Sequence, residues 1–160
     1  MRINSLGLRD EDDDVRQNRF NLNKVVIHAT RPSERQDEAW KVMLALPRRI
    51  AELGEERGFR TALVVAPALF QVDAPDWDAM LRDNKLKPDE RSRDAPNRLL
   101  ASHAAEIGMP MLDLLPAFRA AAAGAGPPLY FALDRHWTPA GHALAAREIA
   151  AFLSAQGLVK

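Results

Sequence analysis

The stretch Leu129-Tyr130-Phe131-Ala132-Leu133-Asp134-Arg135-His136-Trp137-Thr138-Pro139-Ala140-Gly141-His142 constrains this chain more than any other. It begins as an apolar run, meets an acid at Asp134 and a base at His136, and then starts a helix. Thr138 is a residue type whose side-chain oxygen caps helix N-termini, and Pro139 fits the first helical position, where its missing N–H costs nothing. Leu144, Ala145, Ile149, Phe152 and Leu153 then recur at helical spacing, and Gly157 marks the stop. Asp134 and His136 are therefore expected on a short loop pinned between two packed elements, where polar residues are candidates for chemistry. A carboxylate beside an imidazole fixes its tautomer and stabilises the imidazolium that forms when it takes a proton.

Upstream, strand and helix signals alternate. Val25-Val26-Ile27 is a β-branched run that predicts a short strand, with His28 at its end. A helix carrying Trp40, Met43, Leu44, Ile50, Ala51 and Leu53 on one face follows, with Pro47 inside it expected to kink or split it. Thr61 to Ala66 is the best strand, and its continuous apolarity predicts a parallel strand covered on both faces. The segment from Ala68 to Trp77 should lie at that strand's carboxyl end, where ligands bind in open α/β sheets, with Phe70, Gln71 and Trp77 as candidate cleft residues. Asp83 to Pro96 is charged and reads as a surface loop or lid. Asn97 to Ile107 reads as a helix bearing Ser102 and His103 on its surface; neighbours on a helix point about 100° apart and cannot form a catalytic contact. Met109 to Leu115 predicts a third strand carrying Asp113, and Pro116 to Ala123 a short helix.

Asp134-Arg135-His136-Trp137-Thr138-Pro139-Ala140-Gly141-His142, followed by Ala145 and Ala146, resembles the last conserved block of the SGNH/GDSL hydrolases. The variant with one residue between acid and base, followed by Trp, is similar to that of bacterial branches that include O-acetylating relatives. The resemblance extends more loosely upstream to about Trp40. It implies a flavodoxin-like three-layer α/β/α fold with a short parallel sheet, and a site in which Asp134 and His136 are the acid and base of a Ser-His-Asp triad. His142 corresponds to the second histidine of the block, which in the family is not the base. No cofactor is implied, and the substrate expected is a small-molecule or carbohydrate ester.

The departures are equally specific. No Gly-Asp-Ser nucleophile block, no Gly-x-Asn-Asp block and no separate glycine block is found. Met1 to Asp10 resembles a leader that stands upstream of the nucleophile strand in some members, so the chain reads as that leader joined to the second half of the domain. Ser5, in Asn4-Ser5-Leu6-Gly7, lacks the preceding strand and following helix that a nucleophile elbow needs. Two further readings follow: a non-catalytic binding module of the same fold, and a metal site built from Asp134, His136 and His142.

At 160 residues the chain is expected to be one domain over 24–160, preceded by a polar arm over 1–23 that contains Asp10-Glu11-Asp12-Asp13-Asp14. Twenty-two Lys and Arg balance 22 Asp and Glu, so no global field draws in nucleic acid or an anionic membrane. Cysteine is absent, which excludes disulfides and thiolate metal sites. No membrane span or signal-peptide core is visible, so the chain as written reads as cytoplasmic. With three strands where such a sheet has about five, an open apolar strand edge is expected to favour a homo-oligomer or a sheet-completing partner.

Overall fold

The computed structural model describes residues 27–159, so the N-terminal arm, Ser5, Val25 and Val26 lie outside the described residues. Ile27 itself stands in a turn with His28 rather than in a strand. The first element, α1 (Glu34–Arg57), starts with a capping box: Gln36 N–H donates to Ser33 Oγ at 3.4 Å, and Ser33 N–H donates to Gln36 Oε1 at 2.6 Å. It ends at Gly58, whose φ of 75° is left-handed. Pro47 does not split it; α1 runs through as one 24-residue helix. A proline removes one helical N–H donor, and here Arg49 bonds both Glu52 and Glu56 along the helix while Arg48 bonds Glu106 across it. Ile50, expected on the packed face, is exposed, as are Val42 and Leu46.

The strands are shorter than the apolar runs that encode them. β1 (Leu63–Val65) and β2 (Met111–Asp113) pair in parallel, with Leu63 opposite Met111, Val64 opposite Leu112 and Val65 opposite Asp113. Both are half-buried rather than fully covered, and Ala66 is exposed. Among the described residues these two strands make the whole sheet, so the domain is a helix-rich α/β fold. Between them come α2 (Leu69–Val72), α3 (Ala74–Asp83) and α4 (Ala95–Glu106), and after them α5 (Leu115–Ala122) and α6 (Pro139–Ala155).

Two apolar clusters hold these elements. Leu114, Phe118, Leu129, Tyr130, Leu144 and Ala145 form one, joined by Val64, Leu112, Trp137 and Ile149, so α5 and α6 share it with both strands. Phe70, Trp77, Met80 and Leu81 form the other, within α2 and α3. Phe70 and Trp77 are thus core residues rather than cleft walls. The charged segment after Asp83 is no free lid either: Ala29 pairs with Arg91, and Ser92 N–H donates to the His28 carbonyl at 2.9 Å. His103, expected on the surface, keeps only 11% of its side chain exposed. No helix among the described residues is long and apolar enough to cross a membrane.

Candidate functional site

The last helix is built as its sequence dictates. Thr138 Oγ1 accepts from Gly141 N–H at 3.3 Å as N-cap and donates to the Pro128 carbonyl at 2.6 Å, so one hydroxyl ties the helix head to the segment before the loop. Gly141 is required there, because a Cβ at that position would collide with the Leu129 carbonyl oxygen. At the other end, the Arg60 guanidinium donates to the carbonyls of Gln156 and Gly157, each at 3.0 Å, which complements the negative end of the helix.

Between Tyr130 and Trp137 the chain makes a narrow reversal. The two residues pair antiparallel, Phe131 N–H donates to the His136 carbonyl at 2.8 Å, and Thr138 N–H donates to the Leu129 carbonyl at 3.0 Å. Both ends are anchored in the core. Tyr130 is buried and its hydroxyl donates to the Pro67 carbonyl at 2.8 Å, just beyond the carboxyl end of β1. Burial pushes the Tyr130 phenol up to about 12. Trp137 packs against Phe118, with ring centroids 5.0 Å apart.

The reversal brings Asp134 and His136 together. His136 N–H donates to Asp134 Oδ1 at 3.0 Å, and Asp134 Oδ2 lies 3.4 Å from His136 Nδ1. One carboxylate therefore faces both the backbone and the ring of the histidine, leaving Nε2 directed away from the contact. The side chains are 60% and 81% exposed, so the pair stands in solvent. His142 does not join them by any recorded bond; its ring lies edge-on to Trp137 at 5.4 Å. Among the described residues no three His, Cys, Asp or Glu side chains gather as a metal-ligand set.

Three hydroxyls have structural roles. Ser33 caps α1, Thr138 caps α6, and Ser92 Oγ accepts from Arg98 at 3.1 Å and from Asp94 N–H at 3.3 Å.

At the carboxyl ends of the strands lies a polar network that joins the expected cleft residue Gln71 to Asn97 and Asp113. Gln71 Nε2 donates to Asn97 Oδ1 at 2.8 Å, and Asn97 Nδ2 donates to Asp113 Oδ1 at 2.8 Å, which also accepts from Leu115 N–H. Arg119 bonds the Gln71 carbonyl and, at 2.6 Å, Asp94. That hydrogen bond holds the Asp94 carboxyl below its ordinary range. Gln71 is the candidate cleft residue expected at this strand end, and Asp113 the acid expected on the strand; no chemical role is expected of Asn97, Asp94 or Arg119. Beside this network an apolar groove of about 430 Å³ is lined by Ile27, Trp40, Met43, Val65 and Leu100.

The class of this parallel α/β domain, with its core-anchored Asp-x-His loop ahead of the last helix, is SGNH-like. The family model described as "SGNH hydrolase-like domain, acetyltransferase AlgX" matches residues 28–160, and the chain belongs to that family. At family level this is the acyltransferase and esterase class of SGNH-like domains. Searches of curated proteins and of solved structures returned no match.

Proposed function

We propose that this domain works on acyl esters, transferring or hydrolysing an acetyl group on a small-molecule or carbohydrate hydroxyl, with His136 as general base and Asp134 as its orienting acid. The observation that carries this reading is the double contact of Asp134 with His136, through the amide at 3.0 Å and the ring at 3.4 Å. A carboxylate on Nδ1 keeps that nitrogen protonated and leaves Nε2 to accept the proton of an attacking hydroxyl. The same carboxylate then stabilises the imidazolium, which returns the proton to the leaving alkoxide. Family membership supports the class of chemistry.

Among the described residues no side-chain hydroxyl bonds to His136, and an exposed acid–base pair acting alone supplies only proton transfer, worth on the order of 10²–10⁴-fold. The test combines a fluorophosphonate probe with a short-chain aryl acetate. Weak, His136-dependent turnover without stoichiometric labelling is the expected result. Strong labelling of one serine, abolished by His136→Ala, would put the nucleophile inside the chain and enlarge the reading to a complete hydrolase. Turnover indifferent to His136 would end it. A second reading, a binding module of the same fold without catalysis, is favoured by the solvent exposure of both side chains.

A further inference from the structure

Arg135 sits between the acid and the base, yet its side chain leaves the reversal altogether. Its guanidinium reaches α3, where one nitrogen lies 3.1 Å from Asp76 Oδ1 and the other 3.2 Å from Oδ2. A planar fork meeting both oxygens of a carboxylate fixes orientation as well as distance. The Asp76 side chain is only 18% exposed, and Asp76 N–H donates to Asp73 Oδ1 at 2.8 Å in the first turn of α3. Burial raises the Asp76 carboxyl above its ordinary range, and the guanidinium opposes that shift. The anchor is therefore a well-held group on a packed helix, 59 residues away in sequence.

The backbone of Arg135 is left-handed, with φ 61°. A non-glycine residue adopts that conformation at a cost and keeps it only when surrounding contacts hold it. Two do. Arg135 N–H donates to the Phe131 carbonyl at 3.1 Å, and the side chain grips Asp76. The apolar side chains of the tip add little to this, since Phe131 is 49% and Leu133 98% exposed. Among the described residues, Arg135 makes the tip's one recorded side-chain bond to another element. The left-handed residue lies between the two partners of the His136 N–H bond to Asp134 Oδ1.

We propose that Arg135 is a positioning residue: its fork onto Asp76 holds the left-handed turn that keeps the Asp134 carboxylate against both the amide and Nδ1 of His136. The functional meaning of this rests on the acid–base reading above, but the positioning itself is measurable without turnover. The consequence is a bias in the neutral imidazole, because a carboxylate at Nδ1 selects the tautomer that carries its proton there.

The experiment is ¹⁵N NMR of the imidazole rings of the full chain, at a pH where His136 is neutral, with the His136 signals assigned by their loss in His136→Ala. Wild type is expected to show an excess of Nδ1–H at His136. Asp76→Asn and Arg135→Ala, placed on two different elements, are each expected to lose that excess towards the Nε2–H preference of an unrestrained imidazole. Arg135→Lys, which keeps a one-point ion pair, is expected to restore it in part. The rings of His28 and His103 serve as internal controls that a general loosening would move and a local release would not. Retention of the wild-type pattern in Asp76→Asn and Arg135→Ala overturns the proposal, as does a wild type without the Nδ1–H excess. Aryl acetate turnover of the same variants separates the two claims: a lost tautomer bias with turnover indifferent to His136 leaves the positioning standing and removes the catalytic reading.

Discussion

The indole of Trp137 lies 5.0 Å from the ring of Phe118, which with Leu114 has no exposed surface in the larger apolar cluster. That contact fixes the residue immediately after His136 to the deepest part of the core. Tyr130 does the same for the other end of the loop, with its ring 5.8 Å from Phe118. One phenylalanine on α5 thus carries both ends of the segment that presents Asp134 and His136. Exposed at its tip and rigid at its roots, the loop has a built geometry with solvent on its outer side.

Thr138 serves two roles in that anchoring, capping α6 and holding Pro128. Thr138→Ala is expected to cost about 1 kcal/mol from the lost cap alone, within a range of roughly 0.5–2 kcal/mol. Thr138→Ser should recover most of it. Chemical denaturation at constant m-value measures both.

Gly141 tests the closeness of α6 to the loop root. Gly141→Ala adds one methyl against the Leu129 carbonyl, and overpacking of this kind costs about 1–3 kcal/mol. The same substitution at an exposed helical position would stabilise the helix slightly, so a lowered Tm is the diagnostic sign.

Tyr130 is the chain's one tyrosine, so an ultraviolet absorbance titration reports it alone. Its phenol should stay protonated until about pH 12, because burial raises its pKa. Early ionisation near the ordinary value of 10 would mean that the phenol is not buried as described. Tyr130→Phe should cost about 1 kcal/mol by leaving that carbonyl unpaired.

His28 gives the fold a pH dependence. It is 1% exposed, edge-on to Phe70 and Trp77, with Nδ1 2.9 Å from the Ser92 carbonyl. Burial lowers its pKa below the ordinary 6.5, against smaller opposing effects from Ser92, Arg93 and Asp94. As pH falls through 6.5 the unfolded chain takes up a proton that the native imidazole refuses, so stability drops; it is fully recovered above 6.5. Denaturation midpoints between neutral and mildly acid pH should fall in wild type, and less steeply in His28→Gln.

Local signals made much of this architecture legible. Thr138, Pro139 and the Leu144–Ala145–Ile149 stripe set the last helix, and the apolar runs around Val64 and Leu112 set the parallel pair. The Asp134–His136 contact was legible because two residues separated by one position meet in a tight reversal. Long-range placements were not. Nothing local says that Arg135 reaches Asp76, that Gln71, Asn97 and Asp113 line up across three elements, or that His28 is buried between two aromatic rings. Pro47 misled because proline is a helix breaker in isolation, whereas α1 is held along its length by ion pairs and by packing on α4. Of the three residues expected to wall a cleft at the carboxyl end of β1, Phe70 and Trp77 pack on each other, while Gln71 joins the polar network and lines the apolar groove beside it.

The central claim is that His136 accepts a proton under the direction of Asp134, and the most direct measurement is the rate of aryl acetate cleavage by wild type, His136→Ala and Asp134→Asn under identical conditions. The account predicts slow turnover in wild type, a fall on the order of 10²-fold in His136→Ala, and a smaller fall in Asp134→Asn, with unchanged helical content in all three. Equal rates in the three proteins would contradict it.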